Sequence, residues 1–237
     1  MDRFGTPQVG AYPSLANAAE RVTAFLRVVY TWMAVGLTVT ALVAWVVAGS
    51  DTLLVTIASN RLVFWGLMLA QLGIVIFLSA RVHALSAGAA TGLFLAYSAL
   101  TGLTMAFVLR VYTGESVATT FFVTAGTFGA LALYGTVTSR SLAGLGQFLF
   151  MGLIGIVLAS VVGIFWQNSG LQFVIAFCGV ILFTLLTAYD AQQLKAMALA
   201  VPESQAGSYA IVGALKLYLD FINLFLYLLR FLGGRRD

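Results

Sequence analysis

The sequence predicts an all-α polytopic membrane protein, a bundle of seven transmembrane helices. Three observations carry that prediction. Of 237 residues, 61% are hydrophobic and only 8% are charged, where a soluble domain carries about 25% charged residues, and the mean hydropathy is +1.01. Seven apolar runs recur along the chain, each near the ~20 residues an α-helix needs to cross a ~30 Å hydrocarbon core. Period-two alternation is absent, which argues against a β-barrel. Twelve Lys and Arg with eight Asp and Glu are too few to cover a soluble globule of this size. Soluble, disordered and disulfide-stapled folds are thereby excluded.

The first run, 28–49, follows a polar N-terminal tail (1–27) that contains Pro7 and Pro13. It is too long for a signal-peptide core and reads as a retained span. Gly49-Ser50-Asp51 closes it, and Ser79-Ala80-Arg81 closes the second run, 62–80. Thr113-Gly114-Glu115 separates the third run, 87–109, from the fourth, 117–138. Ser139-Arg140-Ser141 precedes the fifth, 147–166, and Asn168-Ser169-Gly170 precedes the sixth, 171–190. The seventh, 209–232, follows Pro202-Glu203-Ser204 and leads into a basic C-terminal tail, 233–237. Each break is rich in turn-forming residues, and none is long enough for a soluble domain. Residues 28–232 therefore form one seven-span membrane domain. Small-residue spacings such as Gly88 with Gly92, and Gly152 with Gly155, predict close helix contacts.

The charges outside the spans say little about partners other than the lipid bilayer. The net charge is +4, but the basic residues sit at the edges of apolar runs and no basic patch interleaves with aromatics, so nucleic acid is not expected. A single Cys178 excludes an internal disulfide or a CxxC site, and a single His83 excludes a histidine-rich metal site. Seven spans place Arg3, Arg21, Arg27, Arg81, Arg140 and Lys195 on one side. Arg61, Arg110, Arg230, Arg235 and Arg236 fall on the other. This bias is slight. A re-entrant last segment would strengthen it, whereas the length of that segment favours a seventh crossing.

Three charges lie at membrane depth: Asp190, Lys216 and Asp220. Ionisable groups there cost about 2.5–3.5 kcal/mol on insertion scales and usually mark function. The midpoint between 190 and 220 falls in Val201-Pro202-Glu203-Ser204-Gln205-Ala206-Gly207, a turn sequence. If the sixth helix continues past Asp190 through Lys195, the last two spans form an antiparallel hairpin. Both carboxylates then stand roughly 15 Å from the turn, at one level. Two such groups in a low-dielectric site cannot both ionise cheaply and should share a proton. A proteolytic acid/base pair, a proton relay, a cation site and a pH latch all fit. Against these stands a plain helical ion pair, since Lys216 and Asp220 are spaced i, i+4.

The stretch Leu217-Tyr218-Leu219-Asp220-Phe221-Ile222-Asn223-Leu224-Phe225 resembles the C-terminal signature of the Bax inhibitor-1 family. Tyr97-Ser98-Ala99-Leu100-Thr101-Gly102-Leu103-Thr104 and Thr187-Ala188-Tyr189-Asp190 match as well, and Met1-Asp2-Arg3-Phe4 resembles the bacterial inner-membrane branch. The resemblance implies a seven-helix bundle with the last helix central. It also implies a pH-sensitive calcium leak gated by a di-aspartyl sensor, Asp190 and Asp220, with calcium ions and protons as its partners. Arg81 would be the latch onto that sensor, and Asn223 is placed to hydrogen-bond it. Lys216 departs from the small or hydroxyl residue expected there; if it reaches Asp220, that carboxylate stays charged and the pH response weakens.

Calcium prefers six to eight oxygen ligands. Asp190 and Asp220 with Thr184, Thr187 and water would hold it transiently, so calcium is expected as a permeant ion and no tightly bound cofactor is expected. An enzyme is not expected. An intramembrane aspartyl protease would need Gly-x-Gly before Asp220, where Leu217-Tyr218-Leu219 stands. The alternative outside channels is a non-conducting, stress-modulating protein that acts through membrane-protein partners.

Overall fold

The computed structural model describes residues 15–166 and 168–234. Most of the polar tail, with Met1-Asp2-Arg3-Phe4, and the terminal Arg235 and Arg236 lie outside the described residues. Among the described residues eight α-helices follow one another: α1 (Leu15–Ala48), α2 (Asp51–Ser59), α3 (Arg61–Ala80), α4 (Ala87–Val111), α5 (Gly114–Val137), α6 (Gly146–Phe165), α7 (Ser169–Ala200) and α8 (Ala206–Leu232). All but α2 belong to segments long and apolar enough to cross a membrane. The chain is an all-α polytopic membrane protein.

The polar breaks do their work as helix caps. The Asn60 Oδ1 accepts from the backbone N–H groups of Leu62 and Val63 at 3.0 and 3.3 Å. Asn168 does the same for Gly170 and Leu171 at 2.8 and 3.2 Å. Ser86 and Thr113 cap α4 and α5. Each satisfies donors that a helix start would otherwise leave bare, where lipid offers no substitute.

Two features depart from the sequence expectation. Helix α1 begins at Leu15, ahead of the apolar run at 28, because Ala, Glu and Arg in 15–27 are good helix formers. The change of polarity at 27 does not mark the start of the helix. The Arg21 guanidinium donates to the carbonyl of Val201, tying this first stretch to the turn between α7 and α8. Helix α2 occupies what reads as a connection. Ser50 caps it, Asp51 sits in its positive first turn, and Leu54 buries against Val47 and Ala106. Asp51 also pairs with Arg110 at the end of α4.

Helix α8 is the centre of the bundle. In its most apolar stretch 61% of residues are buried, against 6% in α3. It packs on α1, α4, α5 and α7. Tyr218, wholly buried, receives the edges of Phe94 and Tyr97 at 5.7 and 5.8 Å. Phe221 meets Phe128 at 5.5 Å on the α5 side. The C-terminal end of α8 lies beside the α4–α5 connection, where Thr113 donates its N–H to the Gly234 carbonyl at 3.2 Å. Helix α8 thus runs the full depth of the bundle, a seventh crossing rather than a re-entrant loop.

Of the glycines the spacing suggested, Gly152 makes a close helix contact, its Cβ position 2.9 Å from Leu182 Cδ1 of α7, and the tightest contacts form at other glycines. A Cβ at Gly88, Gly92 or Gly155 would meet nothing. At Gly135 of α5 it would collide with the Ala188 carbonyl of α7, and at Gly102 of α4 it would lie 2.6 Å from Val43 Cβ of α1.

Candidate functional site

Asp190 lies on α7 and Asp220 on α8, and the turn at Val201–Gln205 folds these helices into the antiparallel hairpin expected. Helix α7 continues ten residues beyond Asp190 to Ala200, which carries it past the apolar run before it turns. Asp190 and Asp220 are both buried, 3% and 5% exposed as whole residues, on helices that pack against each other. Asp220 Oδ2 is the buried side-chain oxygen with no hydrogen-bond partner among the described residues. A carboxylate oxygen left bare at this depth is costly, so its retention calls for a reason.

Lys216 settles differently from the spacing argument. Its ammonium donates to Asp190 Oδ1 across the hairpin at 2.8 Å, so it is not the i, i+4 partner of Asp220. Helical neighbours in sequence meet only if both side chains point along one face, and here the stem of Lys216 leans toward α7 instead. The Lys216 side chain is 44% exposed while Asp190 is 5% exposed. The ammonium also stands 5.8 Å from the ring centre of Tyr189, within cation–π range.

The remaining expected residues are not brought to the pair. Asn223 Nδ2 donates to the carbonyl of Leu219 on its own helix at 2.8 Å. Thr187, fully buried, donates to Phe183 O at 2.7 Å. Arg81 is exposed at the C-terminal end of α3, and among the described residues it forms no ion pair.

Sequence reasoning passed over the residues that hold α7 in place. Gln192 accepts from the N–H of Leu142 at 2.7 Å and donates to the carbonyl of Arg140 at 2.9 Å. Lys195 donates to Thr136 O at 3.0 Å. Gln192 pins the stretch of α7 just beyond Asp190 to the α5–α6 connection, and Lys195 pins it to the C-terminal end of α5. A glutamine and a lysine one turn past a membrane aspartate were the available signal. A groove of about 840 Å³ lies away from the pair, between α1 and the α7–α8 turn, beside Glu20, Arg21 and Glu203.

On α8's other side, a hydroxyl network joins three helices. The Tyr218 and Thr40 hydroxyls are 2.6 Å apart, Thr40 donates to Ser98 O at 2.8 Å, and Thr101 donates to Tyr97 O at 3.0 Å.

A family model described as "Inhibitor of apoptosis-promoting Bax1" matches residues 22–237, which include the α7–α8 hairpin and its aspartates. The chain belongs to this Bax inhibitor family. It is 48% identical to the inner membrane protein YbhL of Escherichia coli strain K12 over 239 residues, with all of both chains covered. Uncharacterized proteins of Borreliella burgdorferi and Deinococcus radiodurans are each 44% identical; the alignments cover 90% and 92% of this chain and 93% of each relative. This Bax-inhibitor chain is a multi-pass inner-membrane protein.

Proposed function

We propose that this protein is a pH-sensitive calcium leak of the inner membrane, gated by Asp190 and Asp220, and that it is not an enzyme. One observation supports the reading: Asp190 of α7 and Asp220 of α8 are both buried on helices that pack against each other, with Asp220 Oδ2 unpartnered among the described residues. In a low-dielectric site such a pair changes its charge when it gains or loses a proton, and the attraction between α7 and α8 changes with it. The hairpin interface is otherwise largely apolar, with a further polar tie from Arg230 to Gln172 at its opposite end, 3.0 Å long. A change at the pair therefore acts on the middle of the bundle.

The carboxylates also suit a hard cation in passage. Calcium takes six to eight oxygen ligands. Two aspartates supply too few for storage, which favours a permeant ion over a resident one.

The test is calcium flux by the purified full-length protein in liposomes, from about pH 6 to about pH 8. The expected result is a pH-dependent flux that Asp190→Asn and Asp220→Asn each render insensitive to pH. Absence of flux at every pH, with the protein shown to be folded, overturns the channel reading and leaves a docking role with membrane-protein partners.

A further inference from the structure

Lys216 is the buried-site charge that the gating scheme above does not use. Among the described residues, two ion pairs form: Arg110 with Asp51 at the bundle end, and Lys216 with Asp190 in the hairpin. Among the described residues, no other cationic side chain forms an ion pair with either carboxylate. Lys195, the nearest lysine along α7, is committed to Thr136 O. The charged groups facing one another at this level are thus Asp190 from α7, and Lys216 and Asp220 from α8.

We propose that Lys216 is a tethered cation that occupies the Asp190 carboxylate and lowers the site's preference for divalent over monovalent cations. The conduction part of this inference rests on the leak reading; the binding part does not. Two bare carboxylates present two negative charges, a match for a divalent ion. With the ammonium at 2.8 Å from Asp190 Oδ1, the three groups carry a single net negative charge when both carboxylates are ionised. A calcium ion then meets a weaker field and must also displace a charge-assisted hydrogen bond. A monovalent ion loses less, because Asp220 still offers the unpartnered Oδ2.

The geometry lets the lysine act as a competitor rather than as a fixed strut. Asp190 is held inside the bundle, whereas the Lys216 side chain is 44% exposed. Its flexible four-carbon stem can carry the ammonium outward without moving either helix. The Tyr189 ring, 5.8 Å from the ammonium, gives it an adjacent resting place.

The experiment measures calcium binding by calorimetry on the detergent-purified full chain, and the calcium-to-potassium flux ratio in liposomes. Lys216→Ser should bind calcium about tenfold tighter or more, the low end of what a close charge pair contributes, and should raise the flux ratio. Lys216→Met, which keeps the volume of the stem, should do the same and covers the case in which the serine variant does not fold. Lys216→Arg should behave like the unaltered protein, and Lys216→Ser combined with Asp190→Asn should lose the gain. Calcium affinity within about twofold of the unaltered protein in folded Lys216→Ser or Lys216→Met overturns the proposal. A gain in affinity without flux in any variant upholds the occupancy proposal and overturns the leak. Flux with an unchanged ratio and affinity does the reverse.

Discussion

Helix α8 buries polar groups on two sides, and the two sides are built by different rules. Toward α1 and α4 stand Tyr218, Thr40, Ser98 and Thr101, and every hydroxyl has a partner, for Ser98 and Thr101 the carbonyl four residues back on the same helix. Toward α7 stand Asp190, Lys216 and Asp220, where one carboxylate oxygen has none. A hydroxyl carries its own donor and can be satisfied locally, so burying it in a membrane helix costs little. A carboxylate has no proton to give back to its helix, and lipid supplies none. The hydroxyl side is fit for packing; the carboxylate side holds an expense that packing does not require.

The largest expected effect comes from forcing each side apart with one methyl group. Gly135→Ala drives a Cβ into the Ala188 carbonyl, two residues before Asp190. Because the obstacle is backbone, the loss should reach the upper part of the about 1–3 kcal/mol typical of overpacking, measured by denaturation in detergent. Calcium flux per folded molecule should change with it. Gly102→Ala meets Val43 and the Thr40 carbonyl at 2.6 and 2.8 Å on the hydroxyl side. It should destabilise by a comparable or smaller amount and leave flux per folded molecule unchanged. Equal effects on flux would erase the distinction between the two sides.

Next in size is Asp220→Asn. Removing the buried charge while keeping the side chain's shape should stabilise the protein by about 1–3 kcal/mol, part of the several kcal/mol that a buried ion costs, while abolishing the pH dependence of flux. A loss of stability instead would mean that Asp220 is part of the packing, and the contrast with the hydroxyl side would fail.

Much of this arrangement is legible in the sequence. Apolar runs near twenty residues specify crossings because lipid tolerates few alternatives, and the level of Asp190 with Asp220 follows from helix rise and the position of the turn. What escaped depends on rotation about helix axes. Spacing says which glycines share a face, but not whether that face meets a helix, as at Gly135, or lipid, as at Gly92. In the same way, the i, i+4 interval offered Asp220 to Lys216, while the orientation of α8 delivered it to Asp190. Helix α2 was missed because nine residues are too few to register as a span. The Tyr218–Thr40 bond joins positions 178 apart, with no local trace at either end.

Tyr218→Phe should have the smallest effect, and it probes the boundary between the two sides most finely. Tyr218 is two residues from Asp220 on the same helix, yet its ring lies between Phe94 and Tyr97. The substitution keeps that packing and removes the hydroxyl. Thr40 retains its bond to Ser98 O, so no buried donor is stranded. The expected cost is about 0.6 kcal/mol, the average for hydrogen bonds within membrane bundles, with the pH profile of calcium flux unmoved. A shifted profile would mean that charge at Asp220 is felt across the body of α8, and the hydroxyl network would then belong to the gate rather than to the scaffold.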